Sequence, residues 1–442
     1  MASLAARYSW RRCAGKPGRR RPAMAQYTDL FPTLALSTAL LLAALAAEPL
    51  LARLRLPGPA AFLAVGAAAG LLGIAPTRHL STVALEQIGA VGLFLILFQG
   101  GLATGFQAAR EMARPIVTLG LLGTAVTAGG TALLARFGLR LDWSLALLVG
   151  VALAPTDPAA VYSVLRGGGA SRRARTVLEG ESGVNDPTGI ALMVAVTAAV
   201  AGSAGSSPAH AALRFVEELV IGSATGVAGG SLLVRALRAT AQLDDSMQAI
   251  GLVLSAVLLG AGTAALHGSG FLAVYLAGLL LSDPWARQDT SYHAVPAALS
   301  AAAEPLLFAM LGAAFAPLVR GDDVLRGVAL TIAMLVVVRP LAAAGCLAGS
   351  GLRRRQRLLV SWGGLKGVVP LLLAGYPALE GLDGASRVAS IVLVATAASL
   401  VVQGGTLPLV VRLAARAQGG PRRAARTAAS SPESGRGGPG RG

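Results

Sequence analysis

Long apolar stretches recur along this chain of 442 residues, and they constrain its fold more than any other feature. About 13 are recognisable by hydropathy, and most approach the roughly 20 residues with which a helix crosses a hydrocarbon core of about 30 Å. They lie near residues 30–51, 58–75, 83–103, 115–137, 143–165, 183–203, 212–239, 246–266, 270–282, 296–319, 323–349, 357–377 and 386–414. Only 13% of the residues are charged, against about a quarter in soluble globular chains. The sequence therefore predicts an all-α polytopic membrane protein with about 13 transmembrane helices.

The net charge of +17 lies mostly in the two terminal tails, which argues against nucleic acid as a partner. Residues 1–24 hold seven Lys or Arg and no acid, and residues 412–442 hold seven Arg and one Glu. We expect a transmembrane domain at residues 28–415 between disordered basic tails at 1–27 and 416–442, which are solvated or contact anionic lipid headgroups. Two cysteines, Cys13 and Cys346, predict no disulfide framework, and no cofactor is expected.

The distribution of Lys and Arg between the loops predicts the orientation in the plasma membrane. Counted together with the adjoining ends of the segments, the odd-numbered loops hold 15 of these residues and the even-numbered loops hold seven, so the C-terminus is expected inside and the N-terminus outside. Seven basic residues before the first helix conflict with an external N-terminus. The conflict disappears if translation starts at Met24, whereas a signal peptide would need an apolar core that is missing before Gln26.

Two apolar segments are interrupted by Gly and Pro at their midpoints. The fifth contains ALAPTDPAAVYSVL, centred on Pro155 to Pro158. The twelfth contains SWGGLKGVVPLLLAG, with its break at Gly363, Gly364, Lys366, Gly367 and Pro370. Matching breaks seven segments apart predict two inverted six-helix repeats joined by a linker helix, with discontinuous helices that cross.

Each break exposes helix ends that carry partial charges, and backbone groups that need partners. If the broken helices cross, Asp157 can lie against positive N-terminal ends and Lys366 against negative C-terminal ends. Lys366 then either compensates a helix end or acts directly in gating or substrate contact. The carbonyl and the hydroxyl of Thr156 are available to coordinate a bare cation.

The stretch LEGESGVNDPTGIAL places polar residues against an apolar run. On a helix, Ser182 and Asp186 share a face. Glu181 points away, closer to the face of Asn185, and needs a partner, for which the intramembrane Arg339 is the best available. A buried carboxylate at Asp186 can hold a monovalent cation or a proton, but not both. Combined with alternating access, this competition is a complete antiport mechanism.

Three other interpretations stay open at the level of the residues. Asp186 could cap a helix that continues from Pro187, since Asp before Pro is a common helix start. An oxygen-lined break could instead line a cation channel. The GESG stretch fits an intramembrane serine protease, with Ser182 as nucleophile and His267 as a conceivable base.

Seven stretches resemble the NhaP-type branch of the monovalent cation/proton antiporters, relatives of the animal Na⁺/H⁺ exchangers. They are LRLPGPAAFLAVGAAAG, LILFQGGL, ALAPTDPAAV, LEGESGVNDPTGIAL, GSGFLAVYLAGLLL, SWGGLKGVVPLLLAG and VVQGGTLPLV. They cover roughly residues 30–414 and are most similar to the bacterial cell-volume-regulation type, whose members are assigned K⁺ or Na⁺ exchange. The resemblance implies a transporter rather than an enzyme, with 13 transmembrane helices, a homodimer, and a core domain that moves against a dimerisation domain.

The resemblance also implies which residues carry the exchange. The family's binding site matches Thr156, Asp157, Ser182, Asn185 and Asp186 in this chain. The cation is expected at Asp186, Ser182 and Thr156, and Glu181 is expected to pair with Arg339. Asn followed by Asp is the family's pattern for electroneutral one-for-one exchange, which agrees with a single ionisable ligand.

The chain departs from the family in two places. Gln99 stands where the third helix usually carries an acid, which removes a cation ligand or a local negative field. A short Arg-rich tail stands where the cell-volume type carries a soluble regulatory domain. We therefore expect such regulation to be absent or supplied by another chain.

Overall fold

A computed structural model of the chain describes residues 23–53, 56–75, 77, 81–157, 171–202, 208–240, 242–286 and 290–416. All regular secondary structure in these residues is helical. The helices are α1 (Ala23–Arg53), α2 (Gly58–Leu72), α3 (Thr82–Thr104), α4 (Phe106–Glu111), α5 (Ala113–Gly138), α6 (Trp143–Ala152), α7 (Arg172–Val200), α8 (Pro208–Ala239), α9 (Asp245–Ala265), α10 (Gly270–Trp285), α11 (Thr290–Phe315), α12 (Gly321–Cys346), α13 (Arg354–Trp362), α14 (Val368–Leu379) and α15 (Ala385–Arg416). The all-α class is thus confirmed for the described part of the chain.

Eight of the described helices contain a stretch long and apolar enough to cross a membrane, namely α3, α5, α7, α8, α9, α11, α12 and α15. Shorter apolar helices occupy Thr38–Leu50 in α1 and all of α2, α6, α10 and α14. Each apolar segment recognised in the sequence therefore contains a helix, while the number of crossings and the inverted repeat remain predictions. The basic tails lie outside the described residues, apart from the start of α1 and the last residue of α15.

Both interrupted segments contain non-helical backbone. The helix α6 ends at Ala152, and residues 153–157 continue without helical structure; Pro158 and the rest of 158–170 lie outside the described residues. The helix α13 ends at Trp362, and α14 begins at Val368. Pro370 lies in the first turn of α14 rather than in the break, because a missing N–H costs no hydrogen bond there. We call residues 153–157 the first break and residues 363–367 the second break.

The helix α7 begins well before residue 183, where the sixth apolar segment was expected to start. Its N-cap is Ser171, whose hydroxyl accepts a hydrogen bond from the Ala174 N–H. Charged and polar residues in the first turns of α7 lower the hydropathy there, so the apolar pattern starts later than the helix. Several residues of these turns are nevertheless buried in the protein, among them Ala174, Val177 and Leu178. Asp186 and Pro187 lie inside the helix, so the interpretation of Asp186 as a helix cap is wrong.

Small residues let several helices approach closely, as is common in membrane proteins. A Cβ on Gly66 of α2 would lie 2.1 Å from the Ala309 carbonyl oxygen of α11. One turn later, a Cβ on Gly70 would lie 2.3 Å from the Ala313 carbonyl oxygen. Because these neighbours are backbone atoms, which cannot rotate away, α2 and α11 have no room for a side chain where they meet.

Replacing Gly66 by Ala should therefore destabilise the protein by about 1–3 kcal/mol, the usual cost of overpacking. The matched control is Gly129→Ala in α5, where an added Cβ meets nothing within 4 Å. Thermal denaturation of the purified protein in detergent should give a lower Tm for Gly66→Ala and an unchanged or slightly higher Tm for the control. Equal Tm values for the two variants would contradict the packing described here.

Candidate functional site

The two breaks contact each other directly. The backbone N–H of Asp157 in the first break donates a hydrogen bond of 2.8 Å to the Leu365 carbonyl in the second break. In a membrane interior, unwound backbone is tolerated only where protein or water satisfies its polar groups. This bond satisfies one group from each break, so the crossing holds both segments in register.

Lys366 links the second break to the end of α6. Its side chain is 1% exposed, and its ammonium donates to the carbonyls of Ala154 and Pro155, both at 3.1 Å. These carbonyls follow the C-terminal end of a helix, where the partial charge is negative. The lysine charge therefore compensates a helix end.

Asp157 lies at the opposite kind of helix end. A Cβ on Gly367, the residue before α14, would lie 1.8 Å from the Asp157 Oδ2 atom. Only glycine fits at this position, and it brings the Asp157 carboxylate to the N-terminal end of α14, where the partial charge is positive. The two charged side chains thus lie at helix ends of opposite sign, in the arrangement expected from the sequence.

Oxygen atoms from the first break and from α7 meet beside the crossing. The Thr156 hydroxyl accepts a hydrogen bond of 2.7 Å from the Asn185 side-chain amide and lies 3.3 Å from the Ser182 hydroxyl. All three side chains are buried. The structure therefore brings together three of the site residues named from the sequence, although Thr156 is about 30 residues from the other two along the chain.

Asp186 follows Asn185 on α7 and shares the face of Ser182, four residues earlier. It is 2% exposed, and its Oδ1 atom has no hydrogen-bond partner among the described residues. The same holds for the Oδ1 atom of Asn185. A buried ionised carboxylate without partners is costly, so this group favours a bound cation or a proton. Carboxylate, amide and hydroxyl oxygens are also the ligands that hard cations prefer.

Glu181 differs from Asp186 because its carboxylate is fully paired. Arg339 of α12 donates to both of its oxygens, at 2.5 and 2.8 Å, and also reaches the carbonyls of Val360 and Ser361 in α13. Both partners of this ion pair are buried. The pair joins α7, α12 and α13, whereas the buried Oδ1 atom of Asp186 has no such partner among the described residues.

Gln99 and His267 take no part in the hydrogen bonds of this site. Gln99 is half-buried on α3 and takes no part in the hydrogen bonds given above. His267 is exposed in the joint between α9 and α10, whereas Ser182 is buried and its hydroxyl donates to the Leu178 carbonyl. Ser182 and His267, both described, share no hydrogen bond, so the geometry gives the protease interpretation no support.

Two polar residues of α15 were missed in the sequence analysis. Ser399 accepts from the Lys366 backbone N–H, and Gln403 donates to the carbonyls of Trp362 and Gly364. Both side chains are 0% exposed. Their signal was present, because polar side chains within an apolar span are expensive and commonly functional.

Breaking the Glu181–Arg339 pair by Glu181→Gln should lower the free energy of unfolding by about 3–5 kcal/mol, because it leaves a buried guanidinium without its counter-charge. The double variant Glu181→Gln, Arg339→Gln should recover part of the loss. The exposed pair between Arg214 and Glu217, at 4.0 Å, supplies the control Glu217→Gln, whose effect should stay below about 1 kcal/mol. Thermal unfolding in detergent measures all three. A single variant as stable as the control would show that the buried pair is not needed for stability.

Comparisons with known proteins show the family of the chain. A family model described as the transmembrane sodium/hydrogen exchanger matches residues 37–413. The K(+)/H(+) antiporter NhaP2 of Shewanella sp. (strain ANA-3) is 32% identical over 369 residues, which cover 83% of this chain and 64% of that protein. The K(+)/H(+) antiporter NhaP of Alkalimonas amylolytica is 31% identical, over 79% of this chain and 61% of the relative. The chain thus spans less than two thirds of the length of these curated relatives.

The solved structure of the sodium proton antiporter MjNhaP1 from Methanocaldococcus jannaschii has the same fold. The two structures superpose with a TM-score of 0.66 at 21% sequence identity, over 88% of this chain and 98% of the other. The family match covers both breaks, all of α7 and the arginine of α12. The chain belongs to the sodium/hydrogen exchanger family.

Proposed function

We propose that this protein is a secondary antiporter that exchanges a monovalent cation, Na⁺ or K⁺, for a proton at Asp186. The observation that carries the proposal is the buried carboxylate of Asp186, whose Oδ1 atom has no hydrogen-bond partner among the described residues. Asp186 follows Asn185, which is hydrogen-bonded to Thr156 of the first break. Membership of an exchanger family and relatives named as cation/proton antiporters support it. Because the chain covers only part of the length of those relatives, the activity is inferred from the site and not from the names of the relatives alone.

Competition at one carboxylate couples the two ions. When Asp186 is ionised, its oxygens and the hydroxyls of Ser182 and Thr156 offer ligands to a cation. When the carboxyl is protonated, its negative charge is lost and the cation loses its counter-ion. If the protein exposes this site to the two sides of the membrane in turn, each ion is carried only in exchange for the other.

The residue before Asp186 sets the expected stoichiometry. Asn185 is neutral at any accessible pH, and its amide donates to the Thr156 hydroxyl. Glu181 is held by Arg339, and Asp157 lies at a helix end. Asp186 is then the one ligand that exchanges its proton during transport, so one proton moves per cation and the cycle is electroneutral.

The wider architecture belongs to the same proposal. Thirteen transmembrane helices follow if α13 and α14 form one broken span, α6 is half of another, and the short α4 does not cross. The two breaks then occupy corresponding positions in two inverted repeats. We infer a homodimer in the plasma membrane, with the N-terminus outside and the C-terminus in the cytoplasm, from the family resemblance and the distribution of basic loops.

The choice between Na⁺ and K⁺ stays open within the proposal. Two relatives of this chain are named K(+)/H(+) antiporters, and the Na(+)/H(+) antiporter NhaS2 of Synechocystis sp. (strain ATCC 27184 / PCC 6803 / Kazusa) is 28% identical over 77% of this chain and 64% of that protein. Selection between the ions depends on the number and flexibility of the oxygen ligands. Gln99, which replaces an acid in the third helix, is a candidate determinant of the preference.

Replacing Asp186 by Asn should abolish exchange, because an amide has the shape of the carboxylate but neither its charge nor its proton. The assay is cation-induced proton movement in everted membrane vesicles, followed with a pH-sensitive dye on adding Na⁺, K⁺ or Li⁺ in turn. Wild type should respond to at least one cation, and the ranking of the responses gives the selectivity.

The control for this variant is Asp322→Asn on α12. Asp322 is 84% exposed, so the same change of atoms there should leave the response at the wild-type level. A full response from Asp186→Asn would contradict the proposed mechanism. Cation flux that needs neither a proton gradient nor Asp186 would favour a channel.

A further inference from the structure

One helix, α15, supplies three of the hydrogen bonds at the second break. Trp362, Gly364 and Lys366 each present a backbone polar group at the break, and all three groups bond to side chains of Ser399 or Gln403. The distances are 2.9 Å to the Trp362 carbonyl, 3.4 Å to the Gly364 carbonyl and 3.1 Å from the Lys366 N–H. These two side chains, four residues apart on one face of α15, are here called the Ser399–Gln403 pair.

The orientation of the pair is fixed by its own internal bond. The Ser399 hydroxyl donates to the Gln403 Oε1 atom at 2.5 Å, which leaves the Gln403 amide nitrogen as the donor to the break. The same hydroxyl accepts from the Lys366 N–H. Both partners are 0% exposed, so neither can exchange its bonds for water. The pair therefore specifies one arrangement of the second break.

The second break in turn positions the first break, which contains Thr156, through three hydrogen bonds. The bond to Ser399 holds the Lys366 backbone, and this sets where the Lys366 side chain begins. Its ammonium donates to the carbonyls of Ala154 and Pro155. The Leu365 carbonyl, one residue earlier, accepts from the Asp157 N–H. Thr156 lies between these two anchored points, and its hydroxyl contacts Ser182 and Asn185.

We infer that Ser399 and Gln403 are positioning residues for ion exchange, which act by holding the second break so that Lys366 and Leu365 place Thr156 against α7. The inference rests on the proposed function. It assigns a task to two residues that touch none of the proposed ion ligands. A purely structural pair would stabilise the fold without affecting how tightly the site binds its cation.

The test separates these two roles through the KM for the cation. Wild type, Ser399→Ala and Thr396→Val are purified and reconstituted in proteoliposomes, and initial rates of cation-driven proton movement are measured against cation concentration. Thr396 is the matched control, because it lies one turn from Ser399 on α15, is 0% exposed, and its hydroxyl has no hydrogen-bond partner among the described residues. We expect KM to rise about fivefold in Ser399→Ala, the equivalent of one average hydrogen bond, and to stay at the wild-type value in Thr396→Val.

A second variant keeps the test decisive if Ser399→Ala does not fold. Gln403→Glu preserves the size of the side chain and an oxygen that can accept from Ser399, but it removes the amide donor to Trp362 and Gly364. It should raise KM in the same direction. Wild-type KM values in both variants, accompanied only by a lower Tm, would overturn the positioning role.

A double-mutant cycle with Thr156→Ala tests the route of transmission. If the pair acts through Thr156, the effects of Ser399→Ala and Thr156→Ala on KM should be strongly non-additive, although the two side chains share no hydrogen bond. If the two substitutions instead raise KM independently, so that the double variant shows the product of the two single effects, the pair does not act through Thr156. Absence of any exchange by wild type would instead refute the proposed function itself, which distinguishes the two failures.

Discussion

The crossing of the two breaks depends on the Lys366 ammonium, which donates to the carbonyls of Ala154 and Pro155 at the end of α6. Unwinding a helix inside a membrane frees backbone groups that lipid cannot satisfy. Lys366 supplies donors to carbonyls of the first break, the Asp157 N–H joins the breaks, and α15 supplies partners to the second. The non-helical backbone that makes Thr156 available to α7 is therefore stabilised by a charge and by neighbouring helices.

The acids of α7 illustrate how similar residues acquire different properties from their surroundings. Glu181 accepts both of its short hydrogen bonds from Arg339, so its charge is compensated inside the protein. Asp186, five residues later, points to another side of the helix, and its Oδ1 atom has no partner within the described structure. A fully paired carboxylate fixes three helices together, whereas a carboxylate with a free oxygen can exchange one positively charged partner for another. In the proposed function, structural pairing and ion exchange therefore belong to different acids of one motif.

Much of this arrangement could be predicted from the sequence, because intramembrane charges and Gly/Pro breaks are expensive and have few explanations. The apolar segments, both breaks, the position of Lys366 and the pairing of Glu181 with Arg339 followed from that argument. The start of α7 did not, since hydropathy measures exposure to lipid and this end of the helix is partly covered by protein. Pro370 was assigned to the break, although a proline is equally suited to the first turn of the helix that follows. Ser399 and Gln403 were visible as polar residues in an apolar span, but their partners were not, because side-chain to backbone bonds between distant helices leave no spacing pattern.

The central claim is that a cation and a proton compete for Asp186, and proton release on cation binding tests it most directly. Purified protein in a weakly buffered detergent solution is titrated with the cation that the transport assay ranks first, and released protons are counted with a pH indicator while binding is followed by calorimetry. The account predicts close to one proton released per cation bound when Asp186 starts protonated, and neither binding nor release in Asp186→Asn. Cation binding without proton release would contradict competition at this carboxylate.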